Sequence, residues 1–317
     1  MLAHPFTVTP VLSAIAIGYR NEDLISDRVF PRVGVGGEAF KYTFYPPGET
    51  LTVPNTRVGR RSPPTTVEFT GKEIPTSVDP YGLDDFIPNA DIKSAASQMA
   101  MGVGNYDPRA RAVQGITDLV MLDRELRCAS LLFNSASYDA SRQQVLAGSS
   151  QFSDYTNSAP VDVILAAQDR TLLYRPNVHV MGREVWTKLR AHPHMVNSAK
   201  GGNTLRGVIS KEQYCEIFEI QELLIGEAIV NTAKRGQTEV YSRAWGKHIS
   251  MFYRNPAAVA GKGVTFGLTG QWGERMAGTM PDPKPGLEGG ETVRVGEYVK
   301  ELIVAPSVGY LIQNAVA

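Results

Sequence analysis

At 317 residues, with 43% apolar and 20% charged side chains, the chain has the make-up of a water-soluble globular protein and length for one large domain or two modest ones. Lysine plus arginine equals aspartate plus glutamate, 32 against 32, which leaves no surplus of positive charge to neutralise phosphates and disfavours dedicated nucleic-acid recognition. No run approaches the roughly 20 apolar residues that cross a bilayer, and Met1-Leu2-Ala3-His4-Pro5 has no cationic start followed by an apolar run, so a secretory signal is not expected.

The first quarter differs from the rest. Ten of the 20 prolines fall within the first 80 residues. Proline removes a backbone donor and blocks helix interiors, so this quarter is expected to be extended chain, strand and turn. Phe40, Tyr42 and Phe44 alternate along 40–44 and share one face, as in a half-buried strand. The turn cluster Tyr45-Pro46-Pro47-Gly48 follows, and Thr65 to Thr70 reads as a second strand. Together they predict a long hairpin with a basic middle around Arg57, Arg60 and Arg61. Two strands alone are marginal in water, so the aromatic stripe needs another surface. Either a neighbouring copy supplies it, or the quarter closes on itself as a β-rich subdomain.

Asp107-Pro108 then marks a helix start, with an acidic N-cap and proline at the first helical position. Ile116, Leu119, Leu122, Leu126, Ala129 and Phe133 recur at helical spacing, and Arg109, Arg111, Asp118, Arg124 and Arg127 are assigned to the opposite, solvated face. Such a helix, from 108 to about 134, would be roughly 39 Å long. Beyond a polar stretch at 148–154, a compact α/β unit is expected over about 160–275. It has helices starting at Pro160 (with Val161, Ile164, Leu165 and Leu172 inward), at Glu184 and at Lys211, and strands at Asn177–Met181 and His248–Tyr253. The chain closes through a proline loop at 280–286 and two strand-like runs, 291–305 and 308–317, both expected beside the long helix.

Chemistry is sparse. Cys128 and Cys215 lie far apart and read as reduced, packed thiols. His192-Pro193-His194 lacks a third ligand at a useful spacing, and His179 sits inside an apolar strand as a packed histidine. The glycine clusters at 34–37 and 102–104 do not complete a dinucleotide fingerprint, and Gly261-Lys262-Gly263 lacks the hydroxyl residue of a phosphate loop. Asp84 and Asp85 are adjacent, so in extended chain their carboxylates point to opposite faces; a cap or an inter-subunit salt bridge suits them better than acid–base work. No catalytic, metal or cofactor residues are nominated, and an enzyme is not expected.

The ordered set Leu12-x-x-Ile15-Ala16-x-x-Tyr19, Asp27-x-Val29-Phe30-Pro31, Phe40-Lys41-Tyr42, Val53-Pro54-x-Thr56-Arg57-Val58-Gly59-Arg60 and Tyr81-Gly82-Leu83-Asp84-Asp85 resembles the N-terminal half of major capsid proteins of tailed bacteriophages. The resemblance continues through Leu146-Ala147-Gly148-Ser149 and Phe152-Ser153-Asp154 to the closing Val304-Ala305-Pro306-x-x-Gly309-Tyr310-Leu311-Ile312-Gln313-Asn314-Ala315. It implies the α+β Hong Kong ninety-seven fold, divided into an N-terminal arm (1–37), an extended β-hairpin loop (38–78), a peripheral domain (79–157) with a spine helix (107–134), an axial domain (158–278) and return strands (279–317). The implied function is self-assembly into hexamers and pentamers of an icosahedral shell around double-stranded DNA, without sequence-specific binding and without a membrane. Scaffolding, portal and decoration proteins are the implied partners, and a separate scaffolding protein or prior removal of a scaffolding region is the implied route. The virion is the implied location, with assembly in the host cytoplasm. Some relatives cross-link Lys to Asn; Lys41 and Lys72 lie on or beside the loop, but no partner residue can be assigned. Inter-subunit contact candidates are Phe40, Tyr42, Phe44, Arg57, Arg60, Arg61, Asp84 and Asp85. Alternatives are an encapsulin-type nanocompartment subunit and an α/β enzyme.

Overall fold

The computed structural model describes residues 6–18, 24–44, 52–67, 72–104, 106–171, 174–201, 206–234, 236–257 and 263–317. The N-terminal portion contains β1 (Thr7–Val8), α1 (Pro10–Gly18), α2 (Ser26–Val29), β2 (Arg32–Gly34), β3 (Ala39–Phe44), β4 (Lys72–Ser77) and β5 (Asp79–Pro88). Helices α3 (Asn89–Ala100) and α4 (Pro108–Leu132) follow, then β6 (Gln143–Val145), α5 (Pro160–Asp169), β7 (Val178–Gly182), α6 (Arg183–Leu189), α7 (Pro193–Lys200) and α8 (Lys211–Phe218). The chain ends with β8 (Glu222–Gly226), β9 (Ile229–Asn231), β10 (Tyr241–Arg243), β11 (Ile249–Phe252), β12 (Gly267–Asp282), β13 (Gly290–Ile303) and β14 (Gly309–Gln313).

Two sheets organise these elements. The first has the order β1-β12-β13-β5, with β2 running parallel to β12. On it, Leu12 and Ala16 of α1 and Val113, Ile116 and Val120 of α4 bury Ala277, Val293 and Val295. The second has the order β6-β14-β11-β7-β8. Helices α5 to α8 cover one face around Met181, Trp186, Tyr214 and Ile312. The other face, with Val178, Val180, Leu224 and Leu311, meets the C-terminal half of α4 and the segment around α2. Both faces being covered explains why every residue of β7, His179 included, is buried. β14 therefore lies inside the second sheet, between β6 and β11. The 308–317 run does not return beside the long helix as expected; β13 does.

The N-terminal quarter departs from the all-extended expectation. Pro10 and Pro31 bound a proline-free stretch, and Pro10 opens α1, where its missing N–H costs nothing. The quarter is also laid against its own subunit, by phenylalanines that seat on glycines of β12. A Cβ on Gly278 would meet the Phe6 ring at 2.5 Å, one on Gly267 the Phe30 ring at 2.4 Å, and one on Gly270 the Phe40 ring at 2.6 Å. The second hairpin strand is Lys72–Ser77, pairing Tyr42 with Ile74 and Phe44 with Lys72, whereas Thr65–Val67 is unpaired. Pro75 is tolerated there because, among the described residues, β4 pairs on one side only, with β3. The remainder of the expected strand, 68–70, the turn cluster 45–48, His4, Tyr19, Leu172 and Gly261-Lys262 lie outside the described residues.

In α4 the Asp107 carboxylate caps the helix by accepting from Arg109 N at 2.9 Å. Twenty-five residues give a rod of about 38 Å. Its buried face, however, runs 112/113, 116/117, 120/121, 124/125, 128/129, 132, and Leu119, expected inside, is 56% exposed. Arg124, expected on the solvated face, is instead buried together with Glu125.

Gly182 and Gly226 face each other at the end of β7 and β8. A Cβ at Gly226 would lie 2.0 Å from Cγ of the fully buried Trp245, so the indole rests directly on the backbone. Gly226→Ala should lose more than about 3 kcal/mol, the upper end of overpacking, because the indole has nowhere to move. Urea unfolding followed by tryptophan fluorescence checks this.

His179 is fully buried on β7, as the sequence suggests. Gln168 Nε2 also donates to Phe218 O, which fixes its amide orientation; it therefore donates to His179 Nε2, leaving the His179 Nδ1 proton for Tyr214 Oη at 3.1 Å. Burial, with the Arg175 charge adding to it, pushes the imidazole pKa down to about 3. A depressed histidine contributes stability that is complete above its unfolded value near 6.5 and is lost as pH falls toward the folded value. Between pH 7 and pH 4.5 the loss attributable to His179 is about 2–3 kcal/mol. Comparing that pH difference in wild type and His179→Gln by urea titration isolates it.

Candidate assembly surfaces

The eight nominated contact residues fall on two structures. Phe40, Tyr42 and Phe44 stand half-buried on β3, with Phe40 against Gly270 of the same chain, so part of the aromatic stripe is covered internally. Lys41 pairs with Glu73 across the hairpin at 2.8 Å, and both remain exposed. Beyond the strands, residues 55–67 are exposed throughout and carry Arg57, Arg60 and Arg61 without an acidic residue. The loop has little internal structure: Thr65 Oγ1 donates to Asn55 O at 3.0 Å, and Ser62 N to Gly59 O at 3.2 Å.

Asp84 and Asp85 lie on β5. Arg294 of β13 grips Asp84 through two hydrogen bonds of 2.6 Å, a bidentate pair within the chain. Asp85 is exposed. The geometry thus separates the two carboxylates, one engaged internally and one facing solvent.

A second constellation, absent from the nominated residues, holds the N-terminal segment in place. Glu125, fully buried on α4, accepts from Ile25 N and Ser26 N at 2.9 Å each and from Trp245 Nε1 at 2.7 Å. Arg124 beside it bonds Asp27, Phe30 O at 3.2 Å and Thr269 Oγ1 at 2.9 Å. Arg32 bridges Asp27 at 2.7 Å and Glu297 at 2.8 Å, and Arg275 adds a bond to Glu297 at 3.1 Å and one to Ala16 O at 2.8 Å. Burial raises the Asp27 carboxyl, but the Arg124 and Arg32 guanidiniums outweigh it and hold the group below the usual carboxylate range. The motif Asp27-x-Val29-Phe30 therefore has a physical meaning: the aspartate receives two arginines while Val29 and Phe30 enter the core. The signal in the sequence was Arg124-Glu125 standing in phase with the buried face of α4.

One arrangement mimics a nucleophile and its base. Ser158 Oγ lies 3.0 Å from His192 Nε2, with Asp154 nearby. His192 Nδ1, however, accepts the His194 backbone N–H at 3.2 Å as the cap of α7, which places the ring proton on Nε2, facing the serine. Ser158 meanwhile donates to Asp154 O at 2.6 Å. The tautomer is wrong for a base, and the trio is a structural clasp. Cys128 and Cys215 are both free, and burial pushes each thiol pKa up. Among the described residues no group of three or more His, Cys, Asp or Glu is placed to hold a metal ion, and no helix is long and apolar enough to cross a membrane.

No family model matches the chain. A major capsid protein of Pseudomonas phage JBD67 is 44% identical over 313 residues, covering 99% of this chain and 98% of the relative. The chain belongs to the phage major capsid proteins. Structural likeness agrees with that membership. A phage-related protein from Bordetella bronchiseptica RB50 superposes with a TM-score of 0.77 at 24% identity, covering 98% of this chain and 99% of the other. The capsid of cyanophage P-SCSP1u gives 0.58 at 10% identity, with 99% and 92% covered. At such identities the likeness is one of fold, the Hong Kong ninety-seven fold that the sequence resemblance implies. The relatives in this family are structural capsid proteins.

Proposed function

We propose that this major capsid protein assembles into hexamers and pentamers of an icosahedral shell enclosing double-stranded DNA, in the virion, after assembly in the host cytoplasm. It works as a structural element, with no catalytic step of its own. The carrying observation is a near full-length relationship to a phage major capsid protein, joined to a hairpin whose basic distal loop stands exposed on the single subunit. The division into arm (1–37), loop (38–78), peripheral domain (79–157), axial domain (158–278) and return strands (279–317) belongs to this reading. Helix α4 and β5 fall within the peripheral segment, and β7, β8, β11 and α5 to α8 within the axial one; β12 joins the first sheet, and β6 and β14 join the second, across those boundaries. Phe40, Tyr42, Phe44, Arg57, Arg60, Arg61, Asp84 and Asp85 are the proposed contact residues. Scaffolding, portal and decoration proteins are the proposed further partners. A balanced net charge suits a shell that encloses DNA without gripping it.

Negative-stain microscopy of the expressed chain tests the reading. Closed shells, rings or tubes are expected. A population that sediments as compact single subunits at every concentration, with no particles, would sink it.

A further inference from the structure

His248 stands where three segments meet. It lies between Trp245 and β11, and its ring centre is 5.3 Å from that of Phe133 at the end of α4. The backbone N–H of Asn314, just past β14, donates to His248 Nδ1 at 3.1 Å. A backbone amide can only donate, so Nδ1 must offer its lone pair and the ring proton sits on Nε2. Only a neutral imidazole holds this bond.

Asn314 is where the chain turns. Its φ of 53° lies in the left-handed region, which asparagine tolerates better than most residues. The turn sends residues 315–317 into a slot between two segments. On one side Ala315 N donates to Lys247 O at 2.8 Å, and Lys247 Nζ to Ala317 O at 2.8 Å. On the other, Phe152 N donates to Ala315 O at 2.7 Å and Ala317 N to Ser153 Oγ at 3.1 Å. Gln151 Nε2 reaches Asn314 O at 3.1 Å and Val316 O at 3.3 Å. Ala315 and Val316 are buried there with Leu146 and Phe152. Of all these bonds, only the one to His248 changes its donor and acceptor roles between pH 8 and pH 5.

The surroundings do not favour a proton on the ring. The end of α4 presents Phe133, and the turn at 313–314 presents amides. The charges of the neighbourhood are Lys247 beside the histidine, Glu184 of α6 at 4.0 Å from Lys247, and Arg243 at 3.6 Å from Glu184. Partial burial lowers the imidazole pKa from its ordinary 6.5.

We infer that His248 is a proton-operated latch on residues 314–317: the neutral ring holds them in their slot, and the imidazolium, whose Nδ1–H would face the Asn314 N–H, lets them go. Release uncovers the Phe152 ring, which is fully buried while the segment is seated. A histidine lowered by folding contributes stability that is complete above its unfolded value near 6.5 and is lost as pH falls toward the folded one, so the latch opens on acidification. This device is independent of the shell-forming reading.

Hydrogen exchange by mass spectrometry on the full-length protein, from pH 7.5 to pH 5 and corrected for the intrinsic chemical rate, tests it. A peptide covering 310–317 is expected to lose protection about five- to tenfold between pH 7.5 and pH 5.5. A peptide covering β7 and α6 serves as the internal reference and should change less. His248→Asn keeps an acceptor in the place of Nδ1 and takes no proton in this range, so its 310–317 peptide should be equally protected at both pH values. His248→Phe has no acceptor and should leave the segment open at both. Equal protection of wild-type 310–317 at the two pH values overturns the latch, as does a loss that merely tracks the β7–α6 peptide. A pH dependence that persists in His248→Asn also overturns it. Should the variants not fold, the wild-type profile decides: a loss that begins only below pH 5 belongs to carboxylates and sinks the inference.

Discussion

Glu125→Ala is expected to destabilise the folded subunit by about 4–6 kcal/mol, a large fraction of the roughly 5–15 kcal/mol that a domain possesses. The carboxylate is fully buried and satisfies three donors at once: the N–H groups of Ile25 and Ser26 and the Trp245 indole. Truncation orphans all three, and an unpaired buried donor costs about 1–3 kcal/mol. The effect should be directional as well as large. Ile25, Val29 and Phe30 pack with Trp245, Cys128 and Leu132 in one cluster, so losing the anchor frees residues 24–30 from α4 and from the second sheet together. Glu125→Gln keeps the length and an acceptor oxygen, but its amide nitrogen opposes at least one of the donors, and about half the loss is expected. Urea midpoints monitored by tryptophan fluorescence give the magnitude, and hydrogen exchange at Ile25 and Ser26 gives the direction. A Glu125→Ala protein within 1 kcal/mol of wild type would show that water replaces the carboxylate without cost.

The ends of α4 were legible, and its buried face was not, for one reason. Asp107 and Pro108 act through local backbone chemistry, which adjacent residues encode. The orientation of the helix depends on partners distant in sequence: Glu125 is buried because Ile25 and Trp245 offer donors, and Arg124 because Asp27 and Phe30 receive it. A polarity pattern places both at the surface. β12 escaped for a related reason. Its glycines at 267, 270 and 278 and its bulge between Trp272 and Met276 break the alternation that marks a strand. Those three glycines receive Phe30, Phe40 and Phe6, rings from a segment more than 200 residues earlier. The exposure of Arg57, Arg60 and Arg61 was legible because composition alone reveals it: a run of arginines without acids between prolines has no core to enter. Asp84 was only half legible. Nothing in the spacing of Asp84-Asp85 announces Arg294, which reaches it across the β5–β13 ladder.

Glu297→Ala should cost about 3–5 kcal/mol, the range for removing one partner of a buried ion pair. Glu297 is almost wholly buried on β13 and receives Arg32 at 2.8 Å and Arg275 at 3.1 Å. Arg275 is itself buried and also ties to Ala16 O, so its charge stays in the protein when the carboxylate is gone. The loss reflects a stranded guanidinium more than the worth of the pair. The double replacement Glu297→Leu with Arg275→Met should accordingly be less damaging than Glu297→Ala alone. Acid reports on the same group. Burial raises the Glu297 carboxyl, but the Arg32 and Arg275 charges outweigh it and hold the group below its ordinary 4.5. A carboxylate depressed in the folded state contributes stability that is present above the unfolded value and is lost as pH falls through the folded one. Wild type should therefore lose stability in two stages. The buried histidines act first, from about pH 6.5 downward, and Glu297 together with Asp27 acts below about pH 4.5. Glu297→Gln should start less stable and show a flatter second stage with the first unchanged. Urea midpoints measured from pH 7 to pH 3 on both proteins separate the stages. A second stage equally steep in Glu297→Gln would assign the acid sensitivity elsewhere and remove Glu297 from the set of groups that fasten the N-terminal segment to the first sheet.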